Sequence, residues 1–240
     1  MVETFDVSIT PYGLTRRTFV YLPDDWQTSG KKYPVLYMFD GHNLFFDSTA
    51  TYGTCWGLKE YCDAHPNWII AAPECNHEGN KRLEEYCPYQ SDWFGGITGT
   101  GHEYMEWLTK EFKPMMDKRY PTLPGRANTA IGGSSMGGLM SLYALLQYND
   151  TYSRAAALSP SIWAIGHNDV EYNSVDQLIT YIPNPKDRTK KKTEYLLEFE
   201  NEAMRMFQAI LGVSKYLYRL RKLELMHDGK IPIMVQERAN

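Results

Sequence analysis

Seven residues constrain this chain more than any others. Gly132-Gly133-Ser134-Ser135-Met136-Gly137-Gly138 lie between a short β-prone run, residues 128–131, and a segment, 139–148, whose Leu142, Leu145 and Leu146 recur at helical spacing. A strand that passes into a helix through four glycines turns sharply, with backbone close enough to backbone that a Cβ would intrude. Gly133, Ser135 and Gly137 occupy the fixed positions of G-x-S-x-G, in which a serine at the tip of a strained strand-to-helix turn projects its hydroxyl. The helix dipole and unpaired N–H groups at such a terminus favour negative charge. Ser135 therefore reads as a nucleophile and the Met136 N–H as an oxyanion donor.

The rest of the chain supplies strands and helices in alternation. Residues 5–9 and 18–22 meet around Pro11, Tyr12 and Gly13 as a hairpin, and the apolar run 33–39, closed by Asp40 and Gly41, reads as a strand buried on both faces. A helix is expected over 56–62, a strand over 68–72, and a long amphipathic helix over 102–120, where Tyr104, Met105, Leu108, Phe112, Met115 and Met116 share one face. Strands follow at 154–158 and 195–199, then a helix marked by Met206, Phe207, Ile210, Leu217 and Leu220, and a last strand at 223–226. This order implies an α/β fold over residues 1–240 as a single domain, a mostly parallel central sheet with helices on both faces.

Composition excludes several classes of function. Hydrophobic residues at 43% and charged residues at 22% are a globular balance, and a net charge of -4 offers no footprint for nucleic acid. The basic run 186–192 lies just beyond Pro183 and Pro185 and reads as a solvated loop. The longest apolar stretches, 35–39 and 68–72, fall far short of the roughly 20 residues a bilayer helix needs, so no membrane span is expected. Residues 1–10 carry Glu3 and Asp6 without a signal-peptide pattern, which makes a cytoplasmic setting the default. Cys55, Cys62, Cys75 and Cys87 form no C-x-x-C pair and read as reduced thiols, mostly core. Histidine spacing matches no zinc motif, Cys75 with His77 being the single close Cys/His pair, so neither metal nor cofactor is expected.

Several stretches together resemble a known family: Tyr37-Met38-Phe39-Asp40-Gly41-His42-Asn43-Leu44-Phe45, then 82–89, 102–120, the glycine-flanked serine, and Ala155-Ala156-Ala157-Leu158-Ser159-Pro160-Ser161-Ile162-Trp163. They are similar to the putative-esterase family of α/β-hydrolases, which includes enterochelin esterases, S-formylglutathione hydrolases, and feruloyl and acetyl-xylan esterases. The resemblance implies an α/β-hydrolase fold and a serine esterase that cleaves a soluble small-molecule ester through an acyl-enzyme, a carbohydrate-linked acetyl or feruloyl ester among the options. It also implies a second oxyanion N–H from the loop after the third strand, at Gly41 or His42.

Aromatic residues make up 14% of the chain, and Trp56, Tyr86, Tyr89, Trp93, Phe94 and Trp163 fall in or near predicted loops at the carboxyl edge of the sheet. Trp56, Trp93 and Trp163 are the candidates for stacking on substrate. In this fold the triad follows the order serine, acid, histidine. Glu202 is the first candidate acid, Glu200 the second, and His227 the candidate base, with His102 and His167 behind it. The family places a histidine, an acidic residue and a tryptophan beyond the last strand; here Gly229-Lys230 leads to Ile231, and no tryptophan follows before Asn240. The C-terminal quarter thus reads as altered or incompletely represented. That keeps open a catalytically silent scaffold binding a carbohydrate or partner, and an acyltransferase.

Overall fold

The polar flanks of the N-terminal hairpin show how far pairing extends beyond hydrophobic pattern. Val2–Ile9 (β1) and Leu14–Tyr21 (β2) pair antiparallel along their whole length, from Val2 opposite Tyr21 to Ile9 opposite Leu14. Both run longer than the apolar stretches 5–9 and 18–22, because ladder hydrogen bonds recruit Glu3, Thr15 and Arg17 irrespective of side chain. A 3-10 turn, Thr10–Tyr12, joins them, and Gly13 closes it in the left-handed region at φ 63 with its N–H donated to the Thr10 carbonyl. The computed structural model of the protein describes residues 1–92, 95–158, 160–161, 164, 219–225 and 231–237.

Four further strands complete the main sheet: Val35–Met38 (β3), Ile69–Pro73 (β4), Thr129–Ser134 (β5) and Arg154–Leu158 (β6). The spatial order is β1-β2-β4-β3-β5-β6, with β4, β3, β5 and β6 parallel to one another and β2 antiparallel to β4. Alternation along β3 and into Phe39 just after it sends Val35, Tyr37 and Phe39 into one core and Leu36 and Met38 into the other; Ile69 and Ala71 of β4 join the first, Ile70 and Ala72 the second. This two-sided burial explains the unbroken apolar run in the sequence.

Helices Leu58–Ala64 (α1), Lys81–Glu85 (α2), Gly101–Trp107 (α3), Lys113–Arg119 (α4) and Met136–Gln147 (α5) fill the connections. The single helix expected over 102–120 is instead α3 and α4 joined by a π-helical turn, Leu108–Phe112. Pro114 is the physical reason: it has no N–H to donate and its ring crowds the carbonyl four residues earlier, which a widened turn relieves. Helix α5 begins three residues before the expected Leu139, because the glycines after Ser135 are already helical.

Arg219–Leu225 (β7) and Ile231–Glu237 (β8) form a separate antiparallel pair, with Arg219 opposite Glu237 and Leu225 opposite Ile231. This corrects two expectations: Leu220 belongs to a strand, not the end of a helix, and a further strand follows the one expected at 223–226. The alternation of Ile231, Ile233 and Val235 carries that strand, and Pro232 obscured it in the sequence. The strand expected at 195–199 and most of the helix after it lie outside the described residues.

Candidate active site

Ser135 is built into a conformation that side chains avoid. It has φ 59 and ψ -117, at the junction of β5 and α5. Such a backbone costs on the order of 1–3 kcal/mol and persists only where its surroundings hold it. Here the Ser135 N–H donates to the Leu158 carbonyl at 2.9 Å, and the Ser135 carbonyl accepts the N–H groups of Ser161 and Leu139, each at 3.0 Å. The turn is thereby clasped to the end of β6. A Cβ on Gly133 would lie 2.8 Å from the Gly137 carbonyl carbon, one on Gly137 2.9 Å from Phe39 Cβ, and one on Gly138 2.9 Å from the Leu158 carbonyl oxygen. The glycines are thus packing requirements of the turn. Ser135 itself is exposed while Met136 beside it is buried. Its Oγ lies 3.0 Å from the Oγ of Ser161, a buried residue that sequence reasoning missed because only the β5–β6 pairing brings it there.

The neighbouring strand sets the second half of the site. Met38 is opposite Gly132, and the Phe39 N–H donates to the Gly132 carbonyl at 3.0 Å, so the chain leaving β3 emerges beside the serine turn. Asp40 is left-handed at φ 58 and starts a 3-10 turn, Gly41–Asn43. The leading N–H groups of a helical turn have no partner within the turn, and Gly41 and His42 hold those positions here as Met136 does in α5. Gly41 is packed against β4 so closely that a Cβ would fall 2.0 Å from the Ala72 carbonyl oxygen.

Asp40 holds this loop through a partner that the sequence did not single out. Arg82 of α2 donates from Nε to Asp40 Oδ1 at 2.7 Å and from Nη2 to Oδ2 at 2.8 Å, a two-point fork. The Asp40 N–H donates to Tyr86 Oη at 3.4 Å, and the Arg82 guanidinium lies over the Tyr86 ring. Replacing Arg82 by methionine strands a carboxylate that is only 6% exposed and should lower unfolding stability by about 2 kcal/mol, less than for a fully buried pair because Arg82 is 28% exposed. Urea titration checks this. Arg82→Lys, which keeps charge without the fork, is expected to lose less, and equal losses would reject the fork as the organising contact.

On the same helix Glu85 is buried, accepting Arg16 Nη1 at 3.1 and 3.3 Å and the Asn76 N–H at 3.1 Å. Arg16 offers one nitrogen instead of a fork, and its Nη2 is buried without a partner. Desolvation therefore outweighs the pairing and pushes the Glu85 carboxyl up to about 7. A group whose folded pKa is raised binds its proton more tightly in the native state. Its contribution is fully present below the ordinary value of 4.5 and is lost as pH rises to about 7. The urea midpoint of the parent should accordingly decline across that window relative to Glu85→Gln; parallel profiles would contradict it.

The remaining candidates separate by position. His42 is buried, its Nε2 lies 3.0 Å from Thr51 Oγ1, and its Nδ1 is buried without a partner. Burial brings its pKa down to about 4, so the ring is neutral near pH 7. It meets His77 edge to face, and His42, Cys75 and His77 place potential ligand atoms within 4.8 Å of one another. Sequence spacing concealed this group, since His42 follows β3 and the other two follow β4. Trp56 is half-buried against the core that includes Leu36 and Met38, and its backbone N–H donates to the Asn43 carbonyl. Tyr86 is fully buried, a core residue and not a cleft residue. His102 is exposed on α3, its carbonyl accepting Tyr148 Oη just past the C-terminal end of α5, whereas Ser135 caps the opposite end. Trp93, Trp163, His167, Glu200, Glu202 and His227 lie outside the described residues.

Residues 12–195 match the Esterase family model, described as "Putative esterase". The protein YbbA of Bacillus subtilis is 26% identical over 152 residues, 62% of this chain and 58% of that one. The siderophore triacetylfusarinine C esterase of Aspergillus fumigatus is 25% identical over 142 residues, 58% of this chain and 48% of that protein. The chain thus spans about half the length of these two relatives. Among solved structures, an IroE-like serine hydrolase from Shewanella oneidensis superposes with a TM-score of 0.57 at 20% identity, over 75% of this chain and 54% of that one. The fold is that of the α/β-hydrolases. Among the described residues, no helix is long and apolar enough to cross a membrane.

Proposed function

The chain belongs to the putative-esterase family, and from that premise we propose that it is a serine hydrolase cleaving a soluble carboxylic ester through an acyl-enzyme. The observation that carries this reading is Ser135 itself, exposed and held at positive φ on the N-terminus of α5 by backbone hydrogen bonds to Leu158, Ser161 and Leu139. In the proposed reaction Ser135 Oγ attacks the ester carbonyl carbon and loses its proton to a base. The tetrahedral oxyanion is stabilised by the N–H of Met136 and that of Gly41 or His42. Collapse expels the alcohol, which takes the proton from the base, and water then repeats the sequence to release the acid.

For the base we propose His227 and for the orienting acid Glu202, with Glu200 as the alternative, on chain order alone. The name of the Aspergillus relative, a siderophore triacetylfusarinine C esterase, supports an ester as the substrate. No lid-like amphipathic insertion is evident in the sequence, which favours short or aromatic acyl groups over long-chain lipids. Trp56, Trp93 and Trp163 remain the proposed stacking residues. A fluorophosphonate probe tests the reading: peptide mapping should find the adduct on Ser135. An unlabelled protein would reject it and leave the silent scaffold, and an adduct elsewhere would reject Ser135 as the nucleophile.

A further inference from the structure

The side chains of His42, Cys75 and His77 play no part in the mechanism above, which uses at most the backbone N–H of His42, yet together they have the composition of a metal site. Two imidazoles and a thiol are the ligand types that suit zinc-class cations, and their ligand atoms already lie within 4.8 Å of one another. Around a tetrahedral zinc, with bonds of about 2.0–2.3 Å, ligand atoms sit roughly 3.5 Å apart, so closure needs a modest shift. His77 is at the surface, 54% exposed, and is the side chain able to make it. His42 and Cys75 are buried at 4% and 2% and are already held in place.

A second observation points to a ligand. His42 Nδ1 is buried with no hydrogen-bond partner, an orphan that costs free energy unless something satisfies it. Nε2 is paired with Thr51 Oγ1, so Nδ1 is the ring nitrogen left open, and in the tautomer in which Nε2–H donates its lone pair is free for a cation. The carboxylate of Glu74 lies 3.8 Å from His77 Nε2, where it can orient that ring or complete the coordination. The neighbouring Arg82–Asp40 pair is charge-balanced, while burial and the Asp40 carboxylate beside it hold the Cys75 thiol protonated in the metal-free protein, so the cation has to displace that proton.

We propose that His42, Cys75 and His77 bind one thiophilic divalent cation of the zinc class, linking the loop after β3 to the loop after β4. On binding, the Cys75 Sγ–H bond breaks, its proton passes to solvent, and a sulfur–metal bond forms with no change in oxidation state. Occupancy would fix the His42 ring and, through it, the Gly41–Asn43 turn. The site does not depend on the esterase reading, because binding is measured without substrate.

Cobalt(II) titration of the metal-free protein tests it. The expected result is a saturable complex of one ion per chain with a thiolate-to-cobalt charge-transfer band and tetrahedral d–d absorption, reversed by zinc. Cys75→Ser should lose the charge-transfer band, and Cys55→Ser, at a thiol outside the group, should keep it. His77→Ala, a surface change that leaves folding intact, should weaken binding by more than the roughly tenfold that losing even a residue hydrogen-bonded to a ligand costs. A parent with no saturable thiolate band, a band that survives Cys75→Ser, or unchanged affinity in His77→Ala would overturn the proposal.

Discussion

Replacing Ser135 by alanine should lower ester turnover by about a million-fold and abolish fluorophosphonate labelling, while Ser134→Ala retains most of both. The two serines are adjacent in sequence and differ entirely in setting. Ser134 is the last residue of β5, paired opposite Leu158 and half-buried. Ser135 is exposed, with positive φ and its backbone clasped on both sides by β6 and the residues after it. His227→Ala should fall to the Ser135→Ala level, since residues of a triad act as a unit and losing one removes most of what all contribute. The residual rate then measures what the backbone N–H groups and binding supply unaided. Steady-state kinetics on a soluble p-nitrophenyl ester, run on parent and the three variants, checks this. Equal activity in Ser135→Ala and Ser134→Ala would remove Ser135 as nucleophile, and an unaffected His227→Ala would remove His227 as base.

The serine turn between β5 and α5 was legible in the sequence because its glycines stand next to one another in the chain. Four glycines around a serine, between a strand pattern and a helix pattern, announce a tight turn in the local sequence, although contacts with Leu158, Ser161 and Phe39 hold it in the fold. The buried β3 was legible for a similar reason: both its faces are apolar, so burial leaves its mark on every residue. What escaped was set by contacts across the chain. Arg82 reads as an ordinary helix-surface arginine until α2 is seen to lie against Asp40, 42 residues away. Likewise Ser161 meets Ser135 only through β5–β6 pairing, and His42 meets Cys75 and His77 only because β3 and β4 are neighbours. The π-helical turn was missed for a different reason. The amphipathic pattern of 102–120 is insensitive to one extra residue in a turn, and Pro114 was the signal available.

Gly41→Ala is expected to have the second largest effect, and its argument runs through one backbone atom. The added Cβ would meet the Ala72 carbonyl oxygen at 2.0 Å and its carbonyl carbon at 2.8 Å. Neither can swing aside as a side chain can, because Ala72 lies within β4 between β2 and β3. The Gly41–Asn43 turn must move instead, and the N–H groups of Gly41 and His42 move with it. Overpacking of this kind costs roughly 1–3 kcal/mol of stability. Loss of one oxyanion donor costs about 100- to 1000-fold in kcat. These consequences are separable, since kcat is read well below the unfolding temperature and since a contact made only in the transition state leaves KM nearly unchanged. Gly125→Ala is the control: its Cβ would meet nothing within 4 Å and its φ is ordinary, so stability and kcat should both match the parent. A Gly41→Ala variant that is destabilised yet turns over ester at the parental kcat would show that the donor lies elsewhere and that Gly41 serves only the packing of β3 against β4.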